Sequence, residues 1–274
     1  MLQNFQPGKA GFFLPAQSGK LSRMKHALLK QDDILYRENE LLGINKPAGV
    51  PVHGSRILED QPETLLTMVR NHEGKIVHAA HRLDRPVSGV MLFTASKQML
   101  RQLGQEFENR RVRKCYLAVV RGWPDSGGTI SHPLLPPRDE RKASSVVREA
   151  VTRYERIARV EIPIPIHPYP ASRYSLLALY PETGRRHQLR RHMKHISHHL
   201  IGDTTYGRGE HNLMFREKFA CHRLLLHAWS LEFRHPANQK RVRIQAPLDT
   251  EFRHVIDAFE WGEALDSWAK ESLK

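Results

Sequence analysis

His81-Arg82-Leu83-Asp84-Arg85-Pro86-Val87-Ser88-Gly89 runs directly into the apolar segment Val90 to Phe93. The apolar segment reads as a buried strand, and the proline and glycine before it mark a turn. One carboxylate, Asp84, is therefore set between two arginines at the entrance to a strand. An aspartate flanked by arginines is most often only an ion pair, so the surrounding sequence has to decide what this one does.

Upstream, Ile34-Leu35-Tyr36 and Leu41 to Ile44 flank a polar tetrapeptide. They predict a hairpin that ends at Lys46-Pro47-Ala48-Gly49. A short helix is expected over Glu63 to Asn71. Downstream, Met99, Leu100, Leu103 and Phe107 have helical spacing between Ser96 and Asn109. Cys115 to Val120 alternates as a strand, with Tyr116, Ala118 and Val120 on one face. The Pro-, Gly-, Arg- and Ser-rich residues 124–145 predict a long irregular connection. The four prolines between Pro163 and Pro170 exclude a central strand there. Tyr174 to Tyr180 reads as a strand that turns at Pro181-Glu182-Thr183-Gly184 into a helix carrying Leu189, Met193 and Ile196. Strands at Leu224 to Phe233 and Val242 to Ile244 follow, then a helix with Phe252, Val255, Ile256 and Phe259 on one face. Strands outnumber helices without alternating regularly with them. The expected class is α+β, with a mixed, mostly antiparallel sheet and flanking helices.

The 274 residues carry 43 Lys and Arg against 29 Asp and Glu, a formal charge of +14. Such an excess attracts polyanions. Arginines cluster at Arg110, Arg111, Arg113 and Lys114, and again at Arg185, Arg186, Arg190 and Arg191. The first cluster follows a predicted helix and suits the negative end of its dipole equally well. No apolar run approaches membrane-spanning length, the N-terminus lacks a secretory layout, and two cysteines fit a reducing compartment, so a cytoplasmic protein with no membrane partner is expected. There is no G-x-G-x-x-G after a strand, no Walker loop, no H-E-x-x-H and no G-x-S-x-G. Five histidines fall between His187 and His199. Arginines are interleaved among them, with no acid or cysteine pair, which favours a basic RNA-facing helix over a zinc site.

The window around Asp84 resembles the H-R-L-D-x-x-T-S-G motif of the RluA-type pseudouridine synthases. Four further stretches agree in order. Asn45-Lys46-Pro47-Ala48-Gly49 is similar to N-K-P-x-G, and Lys114-Cys115-Tyr116-Leu117-Ala118 to K-x-Y-x-A. Gly184-Arg185-Arg186-His187-Gln188-Leu189-Arg190 is similar to G-R-x-H-Q-L-R, with Gly202-Asp203 and Tyr206-Gly207 continuing as G-D-x-x-Y-G. Arg223 to Ala228 also matches. The likeness covers roughly residues 33 to 250. Val87 departs from the family's usual threonine and His199 from a common proline, which puts local turn geometry in question.

The resemblance implies a pseudouridine synthase fold with a central RNA-binding cleft. It divides the chain into an N-terminal extension at 1–32 without an S4 domain, a catalytic domain at 33–260 and a C-terminal tail at 261–274. It implies Asp84 as the catalytic carboxylate, Arg190 as its partner, Tyr116 facing the target base and Arg82 filling the space of an everted uridine. A guanidinium beside a carboxylate lowers its pKa by about one to three units. No cofactor or metal is expected, because the reaction is an isomerisation. Local phrases resemble the subgroup that acts on tRNA at uridine 65. Ribosomal RNA as substrate, or RNA binding without catalysis, are the alternatives, and a monomer is the default expectation.

Overall fold

The structure, a computed structural model, describes residues 29–54, 63–136 and 146–272. Ten strands form one sheet: β1 (Ile34–Glu38), β2 (Leu41–Lys46), β3 (His78–Ala79), β4 (Ser88–Thr94), β5 (Arg113–Arg121), β6 (Gly127–Ser131), β7 (Val151–Ile162), β8 (Ser172–Pro181), β9 (Leu226–Arg234) and β10 (Arg241–Gln245). Their order is β1-β2-β4-β9-β5-β8-β7-β6, with β10 on β9 and β3 on β4. Six helices flank it: α1 (Leu65–Glu73), α2 (Lys97–Glu108), α3 (Gln188–His195), α4 (Gly209–Phe219), α5 (Thr250–Ala258) and α6 (Gly262–Glu271).

The period-two pattern of β5 divides the interior as the sequence predicts. Ala118 and Val120 pack with Leu83, Val87, Leu189 and Met193 on one face, and Tyr116 leans on the same cluster. Cys115, Leu117 and Val119 face the opposite cluster, built with α4, α5 and α6. Asp84 thus lies on the side of the sheet that α3 covers.

All strand pairings are antiparallel except β4 with β9, which run parallel over only Ser88↔His227 and Gly89↔Ala228. This short seam lies just after the Asp84 turn. Gly89 has φ +110°, and a Cβ there would stand 2.2 Å from the Ala228 carbonyl oxygen. Both the conformation and the space require glycine. Gly89→Ala should destabilise the fold by at least about 2 kcal/mol, read as a drop in the urea midpoint. An unchanged midpoint would show that the seam can open.

Several features differ from the sequence expectation, α4 among them, a helix where none is expected. The connection 124–145 contains β6, a short edge strand burying only Ile130. Its residues 137–145, like residues 1–28 of the expected extension, lie outside the described residues. β7 was not anticipated. Residues 261–274, expected as a tail, carry α6, which buries Leu265 and Trp268 in the second cluster because both fall on its one apolar side.

Candidate active site

The Asp84 turn is built by two distant motifs docking on each other. The Val87 amide donates to the Asp84 carbonyl at 3.0 Å and the Gly49 amide to the Arg85 carbonyl at 2.9 Å. Arg85 returns an Nε hydrogen bond to the Gly49 carbonyl. Lys46, fully buried, gives its Nζ to the carbonyls of Pro47, Arg85 and Val87 at 2.9, 3.0 and 2.7 Å. Three acceptors match the three hydrogens of an ammonium. Burial, followed by the nearby Arg223, pushes that ammonium down to about 7. Sequence reading left Lys46 without a role; it holds the turn. Val87, where the family has threonine, packs in the apolar cluster, and the turn closes normally around it.

Behind the turn, Arg223 donates to Ser88 Oγ at 2.9 Å, and Ser88 Oγ lies 2.7 Å from His227 Nδ1. His227 Nε2 meets the Ala246 carbonyl at 3.2 Å, so Nε2 carries the proton and Nδ1 accepts from the serine. Burial pushes the His227 imidazole down to about 4, consistent with that neutral tautomer.

Arg190 reaches Asp84 from α3. Its Nη1 lies 3.5 Å from Asp84 Oδ2, joining residues 106 positions apart. The guanidinium is shared, however. Nε and Nη2 form a bidentate pair with Asp203 at 2.7 and 2.8 Å, and the Asp203 side chain is completely buried. Asp84 therefore faces an arginine whose charge is already matched. His187 supplies a second contact, Nε2 to Asp84 Oδ2 at 3.6 Å, while its Nδ1 meets Tyr206 Oη at 3.0 Å. His187 sits at the head of α3 with φ +57°, a left-handed conformation that is uncommon for a non-glycine residue. Desolvation holds its imidazole below its ordinary range, the opposing pull of Asp84 notwithstanding.

The start of α3 is fixed by Gln188. Its carbonyl accepts from Thr183 Oγ1 and the Arg185 amide, and its NH₂ donates to the Val151 carbonyl and Thr152 Oγ1. All four bonding positions of a buried amide are used.

These elements enclose a cleft of about 800 Å³ lined by Arg82, Asp84, Tyr116, His187 and Arg190, among others. All four residues singled out from the sequence thus line one space. Burial, and then the charge of Asp84, raises the Tyr116 phenol above its ordinary range, so it stays protonated. Arg82 is exposed and forms no ion pair among the described residues. The second basic cluster, Arg185, Arg186, Arg190 and Arg191, lines the cleft throughout, and the first proves mixed. Arg110 and Lys114 line the cleft, whereas Arg111 pairs with Glu106 and Arg113 with Glu232.

The crowded histidines are dispersed among separate partners. His192 bridges Thr152 Oγ1 and the His132 carbonyl, His195 stacks on His132, and His198 meets the Arg121 carbonyl. Among the described residues, no group of three or more His, Cys, Asp or Glu side chains could hold a metal ion.

A carboxylate contacted by a guanidinium and an imidazole, in a cleft rimmed with arginines, suits an enzyme acting on a nucleoside within a polyanion. The chain belongs to the RluA-type RNA pseudouridylate synthases: the RNA pseudouridylate synthase family model matches residues 40–195. It is 44% identical to tRNA pseudouridine synthase C of Haemophilus ducreyi, across 84% of this chain and 96% of that one. To the Vibrio cholerae protein of the same name it is 40% identical, across 85% and 98%. Among solved structures, human RNA pseudouridylate synthase domain containing 1 superposes with a TM-score of 0.62 at 27% identity, covering 79% of this chain and 83% of that one.

Proposed function

We propose that this protein converts uridine to pseudouridine in tRNA, at uridine 65, with Asp84 acting on the ribose. The observation that carries the reading is the convergence of Asp84, Tyr116 and Arg190, from three separate motifs, on one cleft. The relatives named as tRNA pseudouridine synthase C support tRNA as the substrate. We assign the catalytic unit to residues 33–260, with α6 packed into its second core cluster, acting as a monomer in the cytoplasm. The two free, buried cysteines fit a reducing compartment, and no helix among the described residues is long and apolar enough to cross a membrane.

A stacked uridine has to leave its stack to reach Asp84, at a cost of a few kcal/mol. Arg82, free of an acidic partner among the described residues, is suited to occupy the vacated space. The C1′–N1 bond then breaks, either by attack of the Asp84 carboxylate on C1′ or after loss of a sugar proton to give a glycal. The uracil turns and C5 joins C1′, displacing the Asp84 carboxylate on the first route and returning the sugar proton to C2′ on the second; the C5 proton departs and N1 ends protonated. Atoms and electrons balance without an oxidant or a cofactor. Tyr116 packs against the uracil and, being protonated, assists removal of the C5 proton as a relay, passing its hydroxyl proton on as it accepts the new one.

Because that proton leaves, tRNA carrying tritium at uracil C5 should release it to water in step with pseudouridine formation. No release from any tRNA on prolonged incubation would defeat the proposal. Tyr116→Phe keeps the ring and removes the hydroxyl. Turnover should fall by about 10²-fold with tRNA affinity little changed; undiminished turnover would reduce Tyr116 to a packing surface.

A further inference from the structure

Arg190 and Lys194 are four residues apart on α3 and share one face of it. Both lie over the ring of Tyr206, the arginine Cζ at 5.1 Å and the lysine Nζ at 5.9 Å from its centroid. Lys194 is exposed and points the helix face away from the catalytic end toward a second group of cations. Arg208 follows Tyr206 by two residues and is also exposed. Arg121 ends β5, and its main chain is tied to the loop after α3: its amide donates to the His199 carbonyl, and its own carbonyl meets His198 Nδ1.

His199 sits among these three cations. It is only 8% exposed and its Nδ1 has no hydrogen-bond partner among the described residues. After burial, Arg208 is the leading influence holding this imidazole below its ordinary range, with Arg121 and Lys194 adding to it. The position is one of the two at which the chain departs from its family's pattern.

Several exposed arginines are matched, Arg37 by Glu73, Arg110 by Glu149 and Arg173 by Glu161, whereas Arg82 at the cleft has no such partner among the described residues. Lys194, Arg208 and Arg121 form no ion pair among the described residues, and Glu210, which lies near His211 together with Arg121 and Arg208, bonds to none of the three. Lys194 suits the negative end of α3, but Arg121 and Arg208 follow no such helix end. Unmatched cations pointing to solvent are what a polyanion displaces counterions from.

We propose that Lys194 and Arg208 form a phosphate-binding track that leaves the catalytic cleft along α3 and grips the substrate RNA backbone away from the target uridine. It contacts phosphates several nucleotides from the reacting one, on part of the RNA that a minimal stem-loop lacks. This rests on the tRNA reading above and adds a second point of attachment to it.

The test uses the double variant Lys194→Glu/Arg208→Glu, with Lys194→Gln/Arg208→Gln as the milder form. Full-length tRNA is compared with the shortest stem-loop of it that the wild-type protein still modifies. On full-length tRNA, KM should rise roughly tenfold or more, kcat at saturation should hold, and the slope of log affinity against log salt should flatten by about 1.5. The Gln form should fall between. On the stem-loop, all variants should match wild type. An unchanged KM and salt slope on full-length tRNA would overturn the track, as would an equal loss on both substrates. Direct tRNA binding by fluorescence anisotropy reads the same contrast without turnover. An inactive wild-type protein would therefore defeat the proposed reaction and still leave the track to be judged by its salt slope.

Discussion

Asp84→Asn should lower pseudouridine formation by about 10⁴-fold or more while tRNA affinity holds or improves. The structure explains why chemistry and folding separate at this residue. The turn around Asp84 is closed by main-chain hydrogen bonds and by Lys46, none of which uses the Asp84 carboxylate. Removing its charge does not strand a buried cation either, because the Arg190 guanidinium keeps its bidentate bond to Asp203. The Asp84 side chain is 17% exposed, so water can reach the amide. One negative charge fewer in a cleft that receives phosphates favours binding. Tritium release in single turnover, with anisotropy for affinity and thermal melting for stability, checks all three. Release within tenfold of wild type would remove Asp84 from the chemistry.

What the sequence disclosed follows a physical division. Elements with a clear period were legible. The β1–β2 hairpin, β4, β5, β8 and the helices with well-marked apolar faces, α2 and α5, lie where the pattern placed them. β7 was hidden because charges interrupt its pattern: Arg153, Glu155, Arg156, Arg159 and Glu161 sit on a strand near the sheet edge, where few side chains are buried. α4 was hidden for a related reason, since its buried His211, Met214 and Phe215 do not form an apolar stripe. α6 offers only Leu265 and Trp268.

The site divides in the same way. Asp84, Tyr116, Arg190 and Arg82 came from ordered motifs, and the fold gathers them into one cleft. The sequence quoted Lys46, His187, Gln188, Asp203 and Tyr206 within those motifs but gave no reason for them. Their work is to hold something else: a turn, a helix start, a guanidinium. Such roles depend on which buried polar atoms face one another, and residue spacing carries no record of that. His199 shows the limit from the other side. Its departure from the family pattern was visible, whereas the unmatched cations around it were not.

The most informative of those holding residues is Asp203, and Asp203→Asn should cost both stability and activity. Its carboxylate is completely buried, takes both parallel hydrogen bonds of Arg190, and accepts the amides of Thr205 and Tyr206 at 2.9 Å. Breaking a buried pair by removing one partner leaves an uncompensated charge, worth about 3–5 kcal/mol. The nearest remaining carboxylate for the freed guanidinium is Asp84, at 3.5 Å. Arg190 is thus expected to close on Asp84 and engage the oxygens that the ribose needs, so activity falls although no RNA contact is touched. The acid side of the stability profile gives an independent reading. Burial alone would raise the Asp203 carboxyl, but Arg190 and the Tyr206 and Thr205 amides overcome it and hold the group below its ordinary value. A carboxyl whose folded value lies below its unfolded one, about 3.9, contributes stability that is fully present above that pH and is lost as pH falls through the folded value. Between pH 7 and 5 the variant should therefore be less stable by a constant amount, and the gap should narrow below about pH 4 as the wild type loses this contribution. Urea midpoints across pH 3 to 7 measure it. A gap that stays constant down to pH 3, or activity in Asp203→Asn equal to wild type, would mean that Arg190 does not depend on Asp203 to stay poised beside Asp84.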